Sequence, residues 1–332
     1  MMKLSILDQI PIAANATAQQ ALEQSLALAQ LGDQLGYTRF WLAEHHNTQS
    51  LASSAPEISI ATIAAQTEHI RVGSGGIMSM HYSALKIAEV FNTLSAYNPN
   101  RIDLGIGRAP GGDHPSIAAL AQGRRVYADD QYDKIKAILH LMNGEPSELP
   151  EYRPVRVTPA NVPLAEPWLL GSTGNSALRA GQLGLGYSFA QFFNGQASRA
   201  IFDHYRKNFV PNAFLNEPKV VVTYAATVAP TLDEAEYRAR AIDLYRLQLM
   251  RGQMPQFYTN EEAMNVELTE MDKAMIEENR KIHFVGTPDE VAAKLQHDAE
   301  AFGFDEAMIN ANQSEFAHRI ETYELLAKAL LI

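Results

Sequence analysis

Short apolar, β-branched runs alternate along the chain with longer stretches whose apolar residues recur at helical spacing, the pattern of repeated parallel βα units. Leu4-Ser5-Ile6-Leu7 predicts a strand. From Thr17 to Leu35 the residues Leu22, Leu26, Ala29, Leu31 and Leu35 fall near helical spacing, with Thr17 as N-cap and Gly36 as the stop. Arg39-Phe40-Trp41-Leu42 returns to extended character. The cycle then repeats: a helix from Pro56 to Thr67, strand Ile70 to Gly73, a helix from Ser83 to Tyr97, strand Ile102 to Ile106, and a helix from Arg124 to Met142. Strands at Trp168 to Leu170, Gly186 to Phe189, Lys219 to Tyr224 and Ala307 to Asn310 follow, interleaved with helices at Asn175 to Leu183, Leu232 to Leu249, Pro288 to Phe302 and Glu315 to Leu331.

Eight strand candidates, each leading into a helix, predict an α/β fold of the (β/α)8 TIM-barrel type, a single domain spanning 1–332. An open doubly wound sheet usually stops at five or six strands. Two stretches break the alternation: Gly144 to Pro163, rich in Pro and Glu, and Arg251 to Lys281, polar but carrying Met254, Phe257, Tyr258, Met264 and Met271. Both are expected as insertions at the C-terminal face. The second reads either as a lid or as an irregular surface loop.

Charge and composition narrow the function classes. With 27 Lys+Arg against 38 Asp+Glu the formal charge is −11, and no basic cluster interrupts it, so a polyphosphate backbone is a poor partner. No apolar run approaches the roughly 18 residues of a bilayer span, and the N-terminal segment lacks the apolar region of a signal peptide; the expectation is a cytoplasmic protein without a membrane partner. The absence of cysteine removes disulfides, thiolate metal sites and thiol nucleophiles. Chemistry is left to His, carboxylates, hydroxyls or a bound cofactor.

In a barrel of this kind the active site lies where the strands end. After the second strand comes Ala43-Glu44-His45-His46-Asn47, and after the third Gly73-Ser74-Gly75-Gly76-Ile77-Met78. The fourth is followed by Gly107-Arg108-Ala109-Pro110-Gly111-Gly112-Asp113 and the fifth by Gly171-Ser172-Thr173-Gly174-Asn175-Ser176. This last turn opens directly into a helix, so it offers backbone N–H groups, hydroxyls and the positive end of a helix dipole: a phosphate cradle or a plain helix cap. Arg108 on the neighbouring strand end reads as a phosphate partner or as a structural ion pair with Asp113. Gly75 and Gly76 suit the approach of a flat ligand to the backbone, or simple barrel packing. The Pro at position 110 breaks the dinucleotide fingerprint. Among Glu44, His45 and His46, adjacent residues point to opposite faces, which argues against a metal and favours one imidazole as acid/base.

Together, Trp41-Leu42-Ala43-Glu44-His45-His46, Val72-Gly73-Ser74-Gly75-Gly76-Ile77-Met78, Arg101 to Gly111 and Val285-Gly286-Thr287-Pro288-Asp289-Glu290-Val291 resemble the bacterial luciferase-like flavin-dependent monooxygenases, in order and over most of the chain. The resemblance implies a TIM barrel using reduced FMN from a separate NAD(P)H-flavin reductase to activate O2 as a flavin C4a-hydroperoxide and oxidise a small organic substrate. It implies His45 as the catalytic histidine, Gly75 and Gly76 at the isoalloxazine through a cis peptide, and Arg108 with Gly171, Ser172, Thr173 and Ser176 at the FMN phosphate. No metal is implied, and a homodimer is expected. The chain departs from its relatives at Gly107, where the light-emitting alpha subunit has a reactive cysteine, and at Ser79-Met80-His81-Tyr82, where Leu-Pro-Asn-His is usual. Three alternatives stand beside this reading: F420-dependent hydride transfer on the same barrel, a flavin-binding protein without turnover, and a metal-dependent hydrolase built on Glu44 and His46.

Overall fold

The computed structural model describes residues 2–123 and 131–331. Its strands and helices run β1 (Lys3–Asp8), α1 (Ala18–Leu35), β2 (Arg39–Leu42), α2 (Pro56–Ala64), β3 (Arg71–Ser74), β4 (Ile77–Met78), α3 (Ala84–Tyr97), β5 (Ile102–Gly107), α4 (His114–Ala121) and α5 (Gln131–Met142). The second half comprises β6 (Glu166–Gly171), α6 (Gly174–Gln182), β7 (Gly186–Ala190), α7 (Gln191–Asn194), α8 (Arg199–Lys207), β8 (Val220–Val228), α9 (Leu232–Met250), α10 (Asn260–Met264), α11 (Glu270–Arg280), β9 (His283–Gly286), α12 (Pro288–Phe302), β10 (Glu306–Asn310) and α13 (Phe316–Leu330). The start of the helix expected from Arg124 lies outside the described residues.

All strand pairs are parallel, in the order β10-β1-β2-β3-β5-β6-β7-β8, and β10 also pairs with β8. That last pairing, Glu306 to Val221 through Asn310 to Ala225, closes the barrel. The eight barrel strands are the eight read from the sequence. Two further strands were not anticipated. β4 continues past the Gly75–Gly76 break to pair with β5, and β9 pairs with the outer half of β8, from Ala225–His283 to Val228–Gly286. The stretch 251–281 is helical in part, since it contains α10 and α11.

Capping residues set the helix limits. Thr17 and Gln20 form a capping box at the start of α1, and Gly36 ends that helix in the left-handed region at φ 82°. Thr287 and Glu290 cap α12 in the same way.

The core has two layers. Outside the strands, Phe40, Val72, Ile102, Leu104, Leu169 and Tyr187 pack under the helices. Inside the barrel, Leu7, Trp41, Trp168, Val221 and Met308 fill the middle, the two indoles meeting edge to face at 5.4 Å. Below them the floor is charged. Arg39 donates to Glu306 at 2.8 Å, to Asp103 at 2.8 Å and to Glu166 at 3.0 Å, and Arg71 adds a 2.8 Å bond to Asp103. Lys219 reaches Glu166 at 2.6 Å. Packing the floor with paired ions leaves the opposite, carboxyl end of the strands as the open end.

Candidate active site

Four strand ends build the mouth. At the end of β2, Glu44 is fully buried, and its carboxylate accepts from the Met78 N–H at 2.7 Å and the Tyr82 hydroxyl at 2.7 Å and bonds His46 Nε2 at 2.7 Å. Glu44 and His46 are thus spent on each other and on the β4 turn. Among the described residues no group of three His, Cys, Asp or Glu side chains is placed to hold a metal.

His45 and His46 line the same cavity, and of the two only His45 has no carboxylate partner among the described residues. The His45 Nδ1 meets Ser53 Oγ at 3.3 Å, leaving Nε2 without a partner among the described residues, and the side chain lines a cavity of about 400 Å³. Burial, with a smaller contribution from His46, pushes its pKa down to about 4, so the ring is neutral at pH 7. The cavity is closed on its other sides by Gln9, Gly111, Gly112, Tyr245 and residues 252–255, which places the start of the second insertion at the mouth.

Between β3 and β4 the Gly75–Gly76 peptide is cis. A Cβ on Gly75 would stand 2.7 Å from Leu7 Cδ1 and 2.9 Å from Trp41 Cβ, and one on Gly76 would stand 2.8 Å from the Gly107 nitrogen. Only bare backbone fits there.

The third group lies across β5, β6 and β7. Arg108 follows β5, and Ser172 and Thr173 follow β6, the adjacent strand. Thr173 caps α6, its Oγ1 accepting from the Ser176 N–H at 3.3 Å. Ser176 Oγ turns inward to Thr173 O at 2.8 Å and to the Tyr187 hydroxyl at 2.9 Å, and it is fully buried. Ser176 therefore shapes the turn from beneath, and Gly171 is bare because a Cβ there would overlap Ser176 Oγ. Ser172, Thr173 and the first residues of α6 form the outer side of the turn. The Arg108 guanidinium lies 4.9 Å over the Tyr132 ring, with Arg179 5.2 Å from the same ring. Both Arg108 Nε and the Tyr132 hydroxyl are buried with no partner among the described residues. The ion pair Arg108–Asp113 does not form; Asp113 instead caps α4 and accepts from Asn47.

Two unanswered donors beside a helix N-terminus fit an anionic group such as the phosphate of a flavin mononucleotide. Tyr132 and Tyr187 were missed in the sequence. Tyr132 sits in a helix with no local sign of its role, and Tyr187 reads as an ordinary strand residue.

This barrel belongs to the luciferase-like monooxygenase family, which matches residues 2–306. The chain is 40% identical to protein YceB of Bacillus subtilis over the full length of both. It is 33% identical to the N-acetyl-S-alkylcysteine monooxygenase of the same organism over 336 aligned residues, covering 100% of this chain and 99% of that one. Among solved structures, apo-MsnO8 superposes with a TM-score of 0.90 at 36% identity, covering 100% of this chain and 99% of that one. The same fold carries FMN in the oxygenating constituent of the 3,6-diketocamphane monooxygenase of Pseudomonas putida (18% identity, 99% and 98% of the chains, TM-score 0.71) and an F420–acetone adduct in a secondary alcohol dehydrogenase (12%, 99% and 99%, 0.71). At these identities the likeness is one of fold alone. No helix among the described residues is long and apolar enough to cross a membrane.

Proposed function

We propose that this protein is an FMN-dependent monooxygenase that oxidises a small organic substrate. The observation that carries the reading is the pair of buried, unpartnered donors, Arg108 Nε and the Tyr132 hydroxyl, beside the capped start of α6 in a luciferase-like monooxygenase chain. Reduced FMN, when bound, supplies the two electrons of a reaction in which O2 gives one oxygen atom to the substrate and the other to water. Arg108, Tyr132, Ser172, Thr173 and the first N–H groups of α6 would hold its phosphate, with Gly171 and Ser176 setting the turn. Bare backbone at Gly75 and Gly76 lets a flat ring lie against the barrel. His45, neutral and open at Nε2, accepts or returns a proton at that atom, while Leu7, Trp41 and Met308 keep water from entering from below.

The proposal includes a separate NAD(P)H-flavin reductase as electron source and a homodimer as the assembly. Its test is anaerobic titration of the purified protein with reduced FMN and with reduced F420. Wild type is expected to bind reduced FMN, and Arg108→Ala to weaken it about tenfold or more, the scale of one charge-assisted bond to an anion. Preference for F420 would move the chain to hydride transfer, and unchanged FMN affinity in the variant would remove the cradle. FMN binding without substrate-dependent O2 uptake when a reductase is supplied would leave a flavin carrier.

A further inference from the structure

One face of α9 carries Ile242, Tyr245, Arg246, Leu249 and Met250, spaced as a helix spaces residues on a single side. That face covers the barrel mouth. Tyr245 stacks on Phe257 at 4.3 Å and bonds Ser50 Oγ at 3.1 Å, and with Gln9 and Leu249 it divides the mouth in two. His45 lines one chamber. The other, of about 290 Å³, is lined by Phe192, Ile242, Leu249, Arg246, His283, Asn310 and others.

Arg246 is an unusual wall for a chamber otherwise apolar or amide-lined. No carboxylate pairs with it among the described residues; its one hydrogen bond is a 3.5 Å contact to Asn279 O. Asp243, one turn away, gives both oxygens to Arg280, at 2.7 and 2.8 Å. Asn310, Asn312 and Gln9 are chained by their amides along the far wall and bring no charge. Beside Arg246, His283 is buried, with Nε2 on Thr227 Oγ1 at 2.9 Å and Nδ1 without a partner among the described residues. Burial lowers the pKa of both, so Arg246 is a cation short of solvent and His283 a neutral ring. In a larger cleft of about 670 Å³ between α9, α11 and α12, Arg280 is paired with Asp243 and Glu236, and Arg240 donates to the Ala263 and Val266 carbonyls at 3.2 and 2.9 Å.

We propose that Arg246 anchors the substrate through an organic oxyanion, a carboxylate in the first instance, with the substrate's apolar body against Phe192, Ile242 and Leu249. This rests on the oxygenase reading and adds its substrate class: small amphiphilic acids rather than neutral aldehydes or hydrocarbons. Guanidinium matches a carboxylate with two parallel bonds, and a single uncompensated cation in a half-closed chamber discriminates strongly for charge.

The test is calorimetric titration of the purified full chain with hexanoate, hexanesulfonate and the neutral hexanamide, alongside oxidised FMN binding followed by flavin fluorescence. Wild type is expected to prefer hexanoate to hexanamide by about tenfold or more. Arg246→Gln abolishes that preference while FMN affinity stays unchanged, and Arg246→Lys keeps part of it. Preference for hexanesulfonate over hexanoate keeps the anchor and changes the acid. On the unmutated protein, phenylglyoxal labelling of Arg246, read by mass spectrometry, is slowed by hexanoate and not by hexanamide; this stands whether or not the variants fold. Equal affinity for acid and amide, or labelling of Arg246 indifferent to hexanoate, overturns the proposal. Absence of flavin binding with the acid preference intact overturns the oxygenase reading alone.

Discussion

At the scale of single residues, the decisive fact is that two adjacent histidines have been given different tasks. His46 is fixed to a buried carboxylate, and His45 stands neutral against the cavity with its pKa near 4. The sign of the resulting pH dependence follows from linkage. Between pH 6.5 and about 4 the unfolded chain takes up a proton at residue 45 that the native fold refuses, so native stability falls as pH drops through that window. His283, buried and likewise depressed, acts in the same direction. Urea denaturation from pH 8 to pH 4 is expected to show this loss, and His45→Gln to flatten part of it; a wild-type curve level from pH 6.5 to 4 would contradict the assignment. Oxygenation, for the same reason, has no inflection near 6.5 from His45. The sequence made this cluster visible as acid and imidazoles at a strand end. It could not say which ring was free, because that depends on Tyr82 and the Met78 N–H arriving from another loop.

At the scale of elements, the eight barrel strands were legible because each is a short apolar run bounded by turn residues, and the helices because their caps are local. Pairings made only by tertiary contact were not. β9 is four residues, His283–Gly286, following a polar stretch, and it exists because β8 runs on to Val228 and offers it an edge. In the proposed cradle a local cap would serve function as well as stability. Thr173 Oγ1 answers the Ser176 N–H, and the rest of the α6 N-terminus is left for an anion. Thr173→Ala should cost about 1 kcal/mol of stability, as removal of an N-cap does, and weaken FMN binding as well, whereas Thr173→Ser should restore both. Denaturation midpoints and FMN titrations on the two variants check this. A Thr173→Ala protein with wild-type FMN affinity would leave Thr173 as a cap and nothing more.

At the scale of the whole molecule, the barrel separates holding the fold together from doing chemistry, and the division runs along its axis. Arg39, Asp103, Glu166 and Glu306 come from four strands separated by up to 267 positions, and nothing in their local sequence announces that they meet. Only closure of the barrel brings the first residues of β2, β6 and β10 onto one floor. Burial opposes ionisation of Asp103, yet Arg39 and Arg71 more than offset it and hold its carboxyl below the usual range. Such a network costs most when one member is removed and the others stay buried and charged. Arg39→Leu is therefore expected to destabilise the protein by about 3–5 kcal/mol, because Glu306 loses its cation and Asp103 keeps only Arg71 while both remain in the floor. The middle layer of Trp41, Trp168 and Met308 stands between that floor and the cradle. At a temperature where the variant is still folded, its affinity for FMN should accordingly match wild type. Guanidinium denaturation and FMN titration of the same preparation decide the matter: a stable variant would show the floor to be dispensable, and a folded variant with impaired FMN binding would show that the two ends of the barrel are coupled.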